Sequence, residues 1–122
     1  MTVERPSPDD RRANPEELDT AFRVLRHRRR RLACYVLLEH ETASLSDVAD
    51  AVAGWQYATG DGIVEPQCRR QCYLDLRHTH VPVLVDAGVV RYDEESDTLS
   101  LVPCPEPIRD LVMRACAFET GS

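Results

Sequence analysis

The chain contains no lysine, and this absence is its most unusual compositional feature. All 15 basic residues are arginines, and 21 carboxylates leave a net charge of -6. Lysine carries a strongly hydrated ammonium group on a long apolar stem, which makes it a poor surface residue where water is scarce. The bias therefore predicts a salt-adapted cytoplasm, although a GC-rich genome, whose codons favour arginine, would give the same composition. Neither explanation assigns a function.

Long apolar runs are also missing. No stretch approaches the roughly 18 residues of a membrane span, and the first residues lack the apolar centre of a secretory signal. The chain has 122 residues, 43% apolar and 30% charged, which is the size and composition of one globular domain. We therefore expect a cytoplasmic protein with no membrane partner.

Motifs of catalysis are absent as well. The sequence has no phosphate-binding loop, no nucleophile elbow and no clustered pair of carboxylates with a plausible cleft. We expect no enzymatic activity, no cofactor and no small-molecule substrate.

The cysteines number five, and an odd count without signs of export favours reduced thiols. Cys68 and Cys72 lie four residues apart, with His78 and His80 following. Structural zinc sites usually pair ligands across two-residue gaps, whereas a spacing of four places both thiols on one face of a helix. Buried free cysteine is the favoured interpretation, and redox or metal sensing is the alternative.

Composition divides the chain into three parts. Residues 1–15 contain three prolines, mixed charges and few apolar residues, which predicts a disordered tail. The folded domain is expected over residues 16–118, and residues 119–122 are expected to form a flexible end.

The first half of the domain shows helical spacing of apolar residues. Leu18, Phe22 and Leu25 recur at steps of four and three, which predicts one stripe of a short helix, and a second helix follows across residues 28–40. The arginine run 28–31 is either a phosphate-binding patch or, as we favour, a solvated first turn that pairs with nearby carboxylates.

Capping signals mark the next two helices. Ser44 and Asp47 resemble a capping box, and Pro66 suits the first position of a later helix. Pro82 removes one backbone hydrogen bond from that helix and crowds the carbonyl of His78, so we expect a kink or restart there. Gly88 is typical of a helix stop.

Alternating residues after Gly88 predict a β-hairpin, with Val90 and Tyr92 on one strand and Leu99 and Leu101 on the other. A terminal helix follows, whose apolar face would either form a dimer surface or pack onto its own domain; its residues are Ile108, Leu111, Val112 and Ala115. The predicted fold is mainly α with a small β-hairpin wing (α+β), in the element order of a winged helix-turn-helix.

Three stretches carry a resemblance to known proteins. LDTAFRVLRHRRRRLACYVL, LSDVADAVAGW and HTHVPVLVDAGVVRYD together resemble an uncharacterised family of small haloarchaeal winged-helix proteins. The segment from His78 to Leu101 is also similar to the end of the recognition helix and the wing of arsenical-repressor-like regulators. The resemblance covers about residues 18–102. It implies a winged helix-turn-helix and a buried, hydrogen-bonded role for His80.

A helix-turn-helix places the N-terminal half of its second helix in the major groove of DNA. Arginine can pair with guanine and glutamine with adenine, so the helix from Pro66 has residue types suited to base reading. We expect a sequence-specific regulator of transcription that binds double-stranded DNA as a homodimer. The candidate DNA-binding residues are Gln67, Arg70, Gln71, Arg77, His78, Thr79 and Arg91.

The charge of this region weakens the DNA hypothesis. Between Glu65 and Tyr92, four arginines stand against three carboxylates, and the hairpin turn at residues 93–97 is acidic. Most DNA-binding proteins gain affinity by neutralising phosphates, and such a surface would do so poorly. The alternative function is a winged-helix module that binds protein and not DNA. Trp55 and Tyr57 could stack on a base, although covering the core is the role we favour.

Overall fold

The computed structural model describes residues 14–57, 63–103 and 105–121. These residues form an α+β domain that is mainly helical and contains one small antiparallel sheet. The elements, in chain order, are α1 (Pro15–Leu25), α2 (Arg28–His40), β1 (Thr42–Ser44), α3 (Leu45–Tyr57), α4 (Pro66–Asp75), a π-helical turn (Leu76–His80), α5 (Val81–Asp86), β2 (Val90–Asp93), β3 (Thr98–Leu101) and α6 (Glu106–Thr120).

The sheet has three strands in the order β1-β3-β2. β2 and β3 form the expected hairpin, in which Val90 lies opposite Leu101 and Tyr92 opposite Leu99. β1 pairs with the other edge of β3, and its three residues carry no alternating pattern that would have predicted a strand. The two-stranded hairpin expected from the sequence is therefore one part of a larger sheet.

Side chains at the helix starts satisfy backbone N–H groups that have no partner within the helix. The Ser44 Oγ accepts a hydrogen bond of 3.0 Å from the Asp47 N–H, which confirms the predicted start of α3. A second capping box opens α1, where Asn14 and Glu17 each accept a bond from the other's backbone. Pro66 occupies the first turn of α4, as predicted.

Helix α4, the π turn and α5 run on without a break, and we call this unit the 66–86 helix. The π turn widens the backbone just before Pro82, and the Val81 N–H bonds to the Leu76 carbonyl, five residues back. A wider turn relieves the crowding of the His78 carbonyl by the proline ring. The interruption expected at Pro82 is thus a π turn, and the helix continues beyond it until Gly88, whose φ is +78°.

The core is formed by the inner faces of the helices and one face of the sheet. It includes Leu32, Leu37, Leu45, Leu76, Leu84 and Leu99, all nearly inaccessible to water. Each buried leucine contributes about 2 kcal/mol of transfer free energy relative to an exposed one. Helices α2, α3 and α4 pack in sequence, so the 66–86 helix rests against α3 along its inner side.

Helix α1 differs from expectation in the side that faces inward, whereas the apolar face of α6 takes one of its two expected roles. In α1 the buried residues are Ala21 and Val24, whereas Phe22, in the predicted stripe, is 60% exposed. Leu25, at the end of the same stripe, is partly buried and packs against the core. In α6, Ile108 and Val112 are buried against the domain, which assigns that face to the protein's own core and not to a dimer contact.

Helix α6 extends past the boundary that the composition suggested. It continues to Thr120, and the Glu119 carboxylate accepts two hydrogen bonds from Arg31, at 2.7 and 2.6 Å, and one of 2.9 Å from the Tyr35 hydroxyl. Residues 119 and 120 therefore belong to the folded domain. Most of the tail predicted at residues 1–15 lies outside the described residues. None of the helices described has the length and apolar character needed to cross a bilayer.

Candidate nucleic-acid interface

The outer side of the 66–86 helix carries most of the residues that the sequence proposed for DNA contact. Their side chains are all exposed, and they are Gln67, Arg70, Gln71, Arg77, His78 and Thr79. The opposite side of the same helix is buried at Cys72, Leu76 and Leu84. The helix thus has one face committed to the core and one face open to solvent.

The geometry of an α-helix sets the order of side chains on the open face. An α-helix has 3.6 residues per turn, so the side chains of Gln67 and Leu74 point in directions that differ by about 20° around the axis of α4. Arg70 lies to one side of these two residues and Gln71 to the other. Leu74 was missed by the sequence interpretation because a single leucine in a polar helix is usually assigned to the core. It is instead 36% exposed, among the polar candidates.

Arg91 is separated from the other candidates. It is exposed on β2, where it pairs in register with Ser100 of β3. Neighbouring residues in a strand point to opposite faces, so Arg91 lies on the side of the hairpin away from Tyr92. Because Tyr92 is the residue that reaches toward the 66–86 helix, Arg91 does not extend the helical face.

The carboxylates within this region are mostly engaged in ion pairs with other helices. Asp75 turns inward, where its Oδ2 lies 2.9 Å from Nη1 of Arg29 in α2. Asp86 pairs with Arg23 of α1, also at 2.9 Å. These two arginines compensate two of the three negative charges counted in the sequence. The outward charge of the 66–86 helix is consequently more positive than the local composition indicated.

Asp75 also anchors a buried histidine. The Nε2–H of His80 donates to the Asp75 Oδ2 at 2.9 Å, and the His80 ring lies 4.2 Å, centroid to centroid, from that of His27. Burial lowers the pKa of His80, the Asp75 charge opposes this, and the nearby His27 adds to it. His80 is therefore a neutral, hydrogen-bonded residue of the interior, as the resemblance implied.

Arg29 is held by several partners at once. Besides Asp75, it donates to the Gln56 Oε1 at 2.8 Å and to the Tyr57 hydroxyl, and its guanidinium lies over the Tyr57 ring at 5.7 Å. Planar guanidinium groups suit this combination of hydrogen bonding and stacking. Arg29 thereby ties α2 to the end of α3 and to α4.

The arginine run 28–31 is solvated at Arg28 only, and the other three arginines are partly buried. Arg29 and Arg31 form ion pairs with Asp75 and Glu119, which are far away in the sequence, and Arg30 donates to the Arg23 carbonyl. The pairing with carboxylates was predicted, but its long range was not. The run connects α2 to α1, α4 and α6.

The hairpin is fixed to the 66–86 helix through Asp97. This carboxylate accepts hydrogen bonds from the Tyr73 hydroxyl of α4, at 3.0 Å, and from the Tyr92 hydroxyl of β2, at 2.5 Å. The Asp97 backbone has a φ of +52°, a conformation that aspartate tolerates better than most residues. Its carbonyl accepts a bond from the Leu45 N–H, so the same turn also contacts the start of α3.

An open groove of about 680 Å³ separates the C-terminal half of the 66–86 helix from the hairpin. Arg77 and His78 line one wall, and Tyr92 and Glu94 line the other. The mixed charge of these walls gives the groove no strong preference for anions. The open helical face N-terminal to it contains more cationic and amide groups.

Cys68, Cys72 and Trp55, which were also considered for a function, make no contact with the described residues that indicates one. Cys72 is buried and Cys68 partly so, and burial raises the pKa of the Cys72 thiol, as expected for an inert core cysteine. Within the described ranges, no three histidine, cysteine or acidic side chains are grouped to hold a metal. Trp55 is 45% exposed, so it covers the core less completely than expected.

The described residues thus define an α+β domain with one exposed helical face of arginine and glutamine side chains. The chain belongs to the family of domain of unknown function DUF7344, whose model matches residues 22–100, more than half of its length. The match begins within α1 and ends in β3, so it contains the whole of the 66–86 helix. No curated protein matches the chain, and no solved structure matches it.

Proposed function

We propose that this protein is a winged helix-turn-helix regulator that binds double-stranded DNA through the open face of the 66–86 helix. The observation that carries the proposal is the division of that helix into two sides. Arg70, Gln71 and Arg77 are exposed, while Asp75 is directed inward to Arg29. Arginine and glutamine are the side chains that read guanine and adenine in the major groove.

The arrangement of the elements supports the same function. In a helix-turn-helix the first helix braces the second, and here α3 packs along α4. The β2–β3 hairpin follows the second helix, as a wing would, and Asp97 holds it against Tyr73. This order agrees with the resemblance to haloarchaeal and arsenical-repressor-like winged-helix proteins, and it favours a role in binding over catalysis.

The acidic composition is compatible with DNA binding in a salt-rich cytoplasm. At about 1 M salt the screening length is roughly 3 Å, so carboxylates away from the contact have little effect on it. Affinity then depends on short-range hydrogen bonds, for which exposed arginine and glutamine are suited. Asp75 and Asp86 lose further influence because each is paired with an arginine.

A homodimer is part of the proposal, because two copies would read two half-sites of a symmetric operator. Ile108 and Val112 are used by the protomer's own core, so they do not supply the contact. The apolar side chains left for it include Phe118 of α6, which is 90% exposed, and Phe22 of α1. Helices α1 and α6 pack against each other, so both residues belong to one end of the domain.

One observation favours a second function, that of a protein-binding module. The hairpin turn carries Asp93, Glu94 and Glu95, all exposed, at the position where a wing would approach the phosphate backbone. Carboxylates there repel phosphate and would suit a basic protein surface. In this case the open face of the 66–86 helix would contact protein.

Selection of DNA by the purified protein distinguishes the two functions. The full chain is incubated in molar potassium chloride with a random duplex library and, separately, with genomic fragments, and bound DNA is sequenced. We expect one enriched motif. A chain carrying Arg70→Ala and Arg77→Ala serves as the matched control and should lose the enrichment. Equal enrichment by both chains, or none by either, would contradict DNA reading by this helix.

A further inference from the structure

Leu74 is an apolar side chain at the centre of a polar face. It lies on nearly the same line of α4 as Gln67, and Arg70 and Gln71 flank it at steps of four and three residues. Cys72 and Leu76, which define the buried side, project in the opposite direction. The residues three and four positions before and after Leu74, which are Arg70, Gln71, Arg77 and His78, are all polar.

The core leaves part of the Leu74 side chain open. Leu74 is 36% exposed, whereas Cys68 and Tyr73 of the same helix are partly buried and pack against the core. A single exposed leucine is common on protein surfaces and by itself indicates no function. Leu74, however, lies on the face that we propose to enter the major groove, where it would contact the bases.

The major groove offers a single kind of apolar target, the C5-methyl group of thymine. The other three bases have no methyl group there, and they present amino groups, a carbonyl group or ring nitrogen atoms that form hydrogen bonds. A leucine pressed against an amino or carbonyl group of the wrong base would leave that group unpaired, at a cost in affinity. Leu74 therefore selects for a methyl group where it touches the bases.

We infer that Leu74 determines specificity by contacting the C5-methyl group of a thymine in the bound DNA. The inference rests on the proposed function, and it adds that the operator contains a required thymine next to the bases read by Arg70 and Gln71. Burying one methyl group against the leucine is expected to change affinity by about fourfold.

Replacement of thymine by deoxyuridine tests this contact, because the two bases differ only by the methyl group. The duplex selected by the protein is synthesised with deoxyuridine at one thymine at a time, and dissociation constants are measured for the unmodified chain and for Leu74→Ala. We expect one position at which deoxyuridine weakens binding of the unmodified chain about fourfold and leaves binding of Leu74→Ala unchanged. The exposed Met113 of α6 provides the control, and Met113→Ala should respond to deoxyuridine as the unmodified chain does.

The possible results separate this inference from the proposed function. If the protein selects DNA but no thymine position shows the loss, or if Leu74→Ala shows the same loss, Leu74 is not a methyl reader and the proposed function stands. A selected motif without thymine would overturn the inference in the same way. If no duplex is selected, both proposals fail. Unfolding of Leu74→Ala by urea checks that the variant remains folded, as its exposed position predicts.

Discussion

Arg29 and Asp75 form an ion pair of 2.9 Å between α2 and α4, and this contact turns the only carboxylate within the π turn and α4 away from solvent. The Arg29 side chain is 12% exposed and that of Asp75 27%. The pair therefore lies in a region of reduced water contact, where attraction between charges is stronger than at the surface. It fixes the inner side of the 66–86 helix and leaves the outer side of α4 and the π turn without a carboxylate.

Asp75→Asn should destabilise the fold. The substitution leaves Arg29 partly buried with a weaker partner, and we expect the free energy of unfolding to fall by about 2 kcal/mol. Urea denaturation followed by circular dichroism measures this. Asp86→Asn is the matched control, because its pair with Arg23 is largely exposed and should contribute less than about 1 kcal/mol. Equal losses in the two variants would show that the location of the pair is unimportant.

Stability should fall in mildly acidic solution because of His80. Burial holds the pKa of His80 below its ordinary value of 6.5, so as the pH falls the unfolded chain takes up the proton first. The contribution of His80 to stability is complete above pH 6.5 and is lost as the pH falls toward the folded-state pKa. The free energy of unfolding changes because of this one group by at most about 1.4 kcal/mol per pH unit.

Urea titrations between neutral and mildly acidic pH measure that slope. His80→Gln, which keeps a donor for Asp75, should remove the slope in this range. The exposed His40 of α2 provides the comparison, and His40→Gln should leave it unchanged. An unchanged slope in His80→Gln would assign the acid sensitivity to other groups.

Alkaline pH should loosen the hairpin through Tyr92. The hydrogen bond to Asp97, followed by burial and the charge of Asp97, raises the pKa of Tyr92 to about 12. Because this exceeds the ordinary value of 10.0, the stabilisation is complete below pH 10.0 and is lost as the pH rises toward 12. Tyrosine ring-carbon chemical shifts report the ionisation. Asp97→Asn should move the ionisation of Tyr92 to lower pH. Asp93→Asn, at the other side of the turn, should shift that ionisation much less.

Arg70 and Arg77 should contribute to DNA affinity more than other exposed arginines. Loss of a bidentate contact with guanine costs about 1–3 kcal/mol, so each alanine variant is expected to weaken binding to the selected duplex about fivefold or more. Fluorescence anisotropy over a range of potassium chloride concentrations measures both affinity and its salt dependence. Arg114→Ala on α6 is the control. A loss in Arg114→Ala as large as in Arg70→Ala would move the interface elsewhere.

The sequence was sufficient to predict the elements whose signals are local. The capping pattern of Ser44 and Asp47 predicted the start of α3, and Pro66 predicted the start of α4. The alternation around Tyr92 predicted the hairpin. The open face of the 66–86 helix was also predictable, because polar residues at helical spacing turn outward together. These features depend on residues within a few positions of one another.

Features that depend on distant partners could not be predicted in the same way. Asp75 was counted as a charge opposing DNA because its partner, Arg29, lies 46 residues earlier in the chain. The outward orientation of Phe22 could not be predicted from spacing, because Leu25 of the same stripe packs against the core while Phe22 is 60% exposed. Leu74 was given no role, because the residue type of a leucine in a polar helix does not show which way its side chain points.

The π turn at Leu76–His80 has a consequence for comparing members of the DUF7344 family. A relative with an unbroken α-helix would need one residue fewer to span the same length, and its side chains beyond the turn would be rotated by about 100° relative to those here. A sequence alignment without a gap would then match Arg77 and His78 with residues whose side chains point in a different direction. Relatives must be superposed separately on the two sides of this turn before their contact residues are compared.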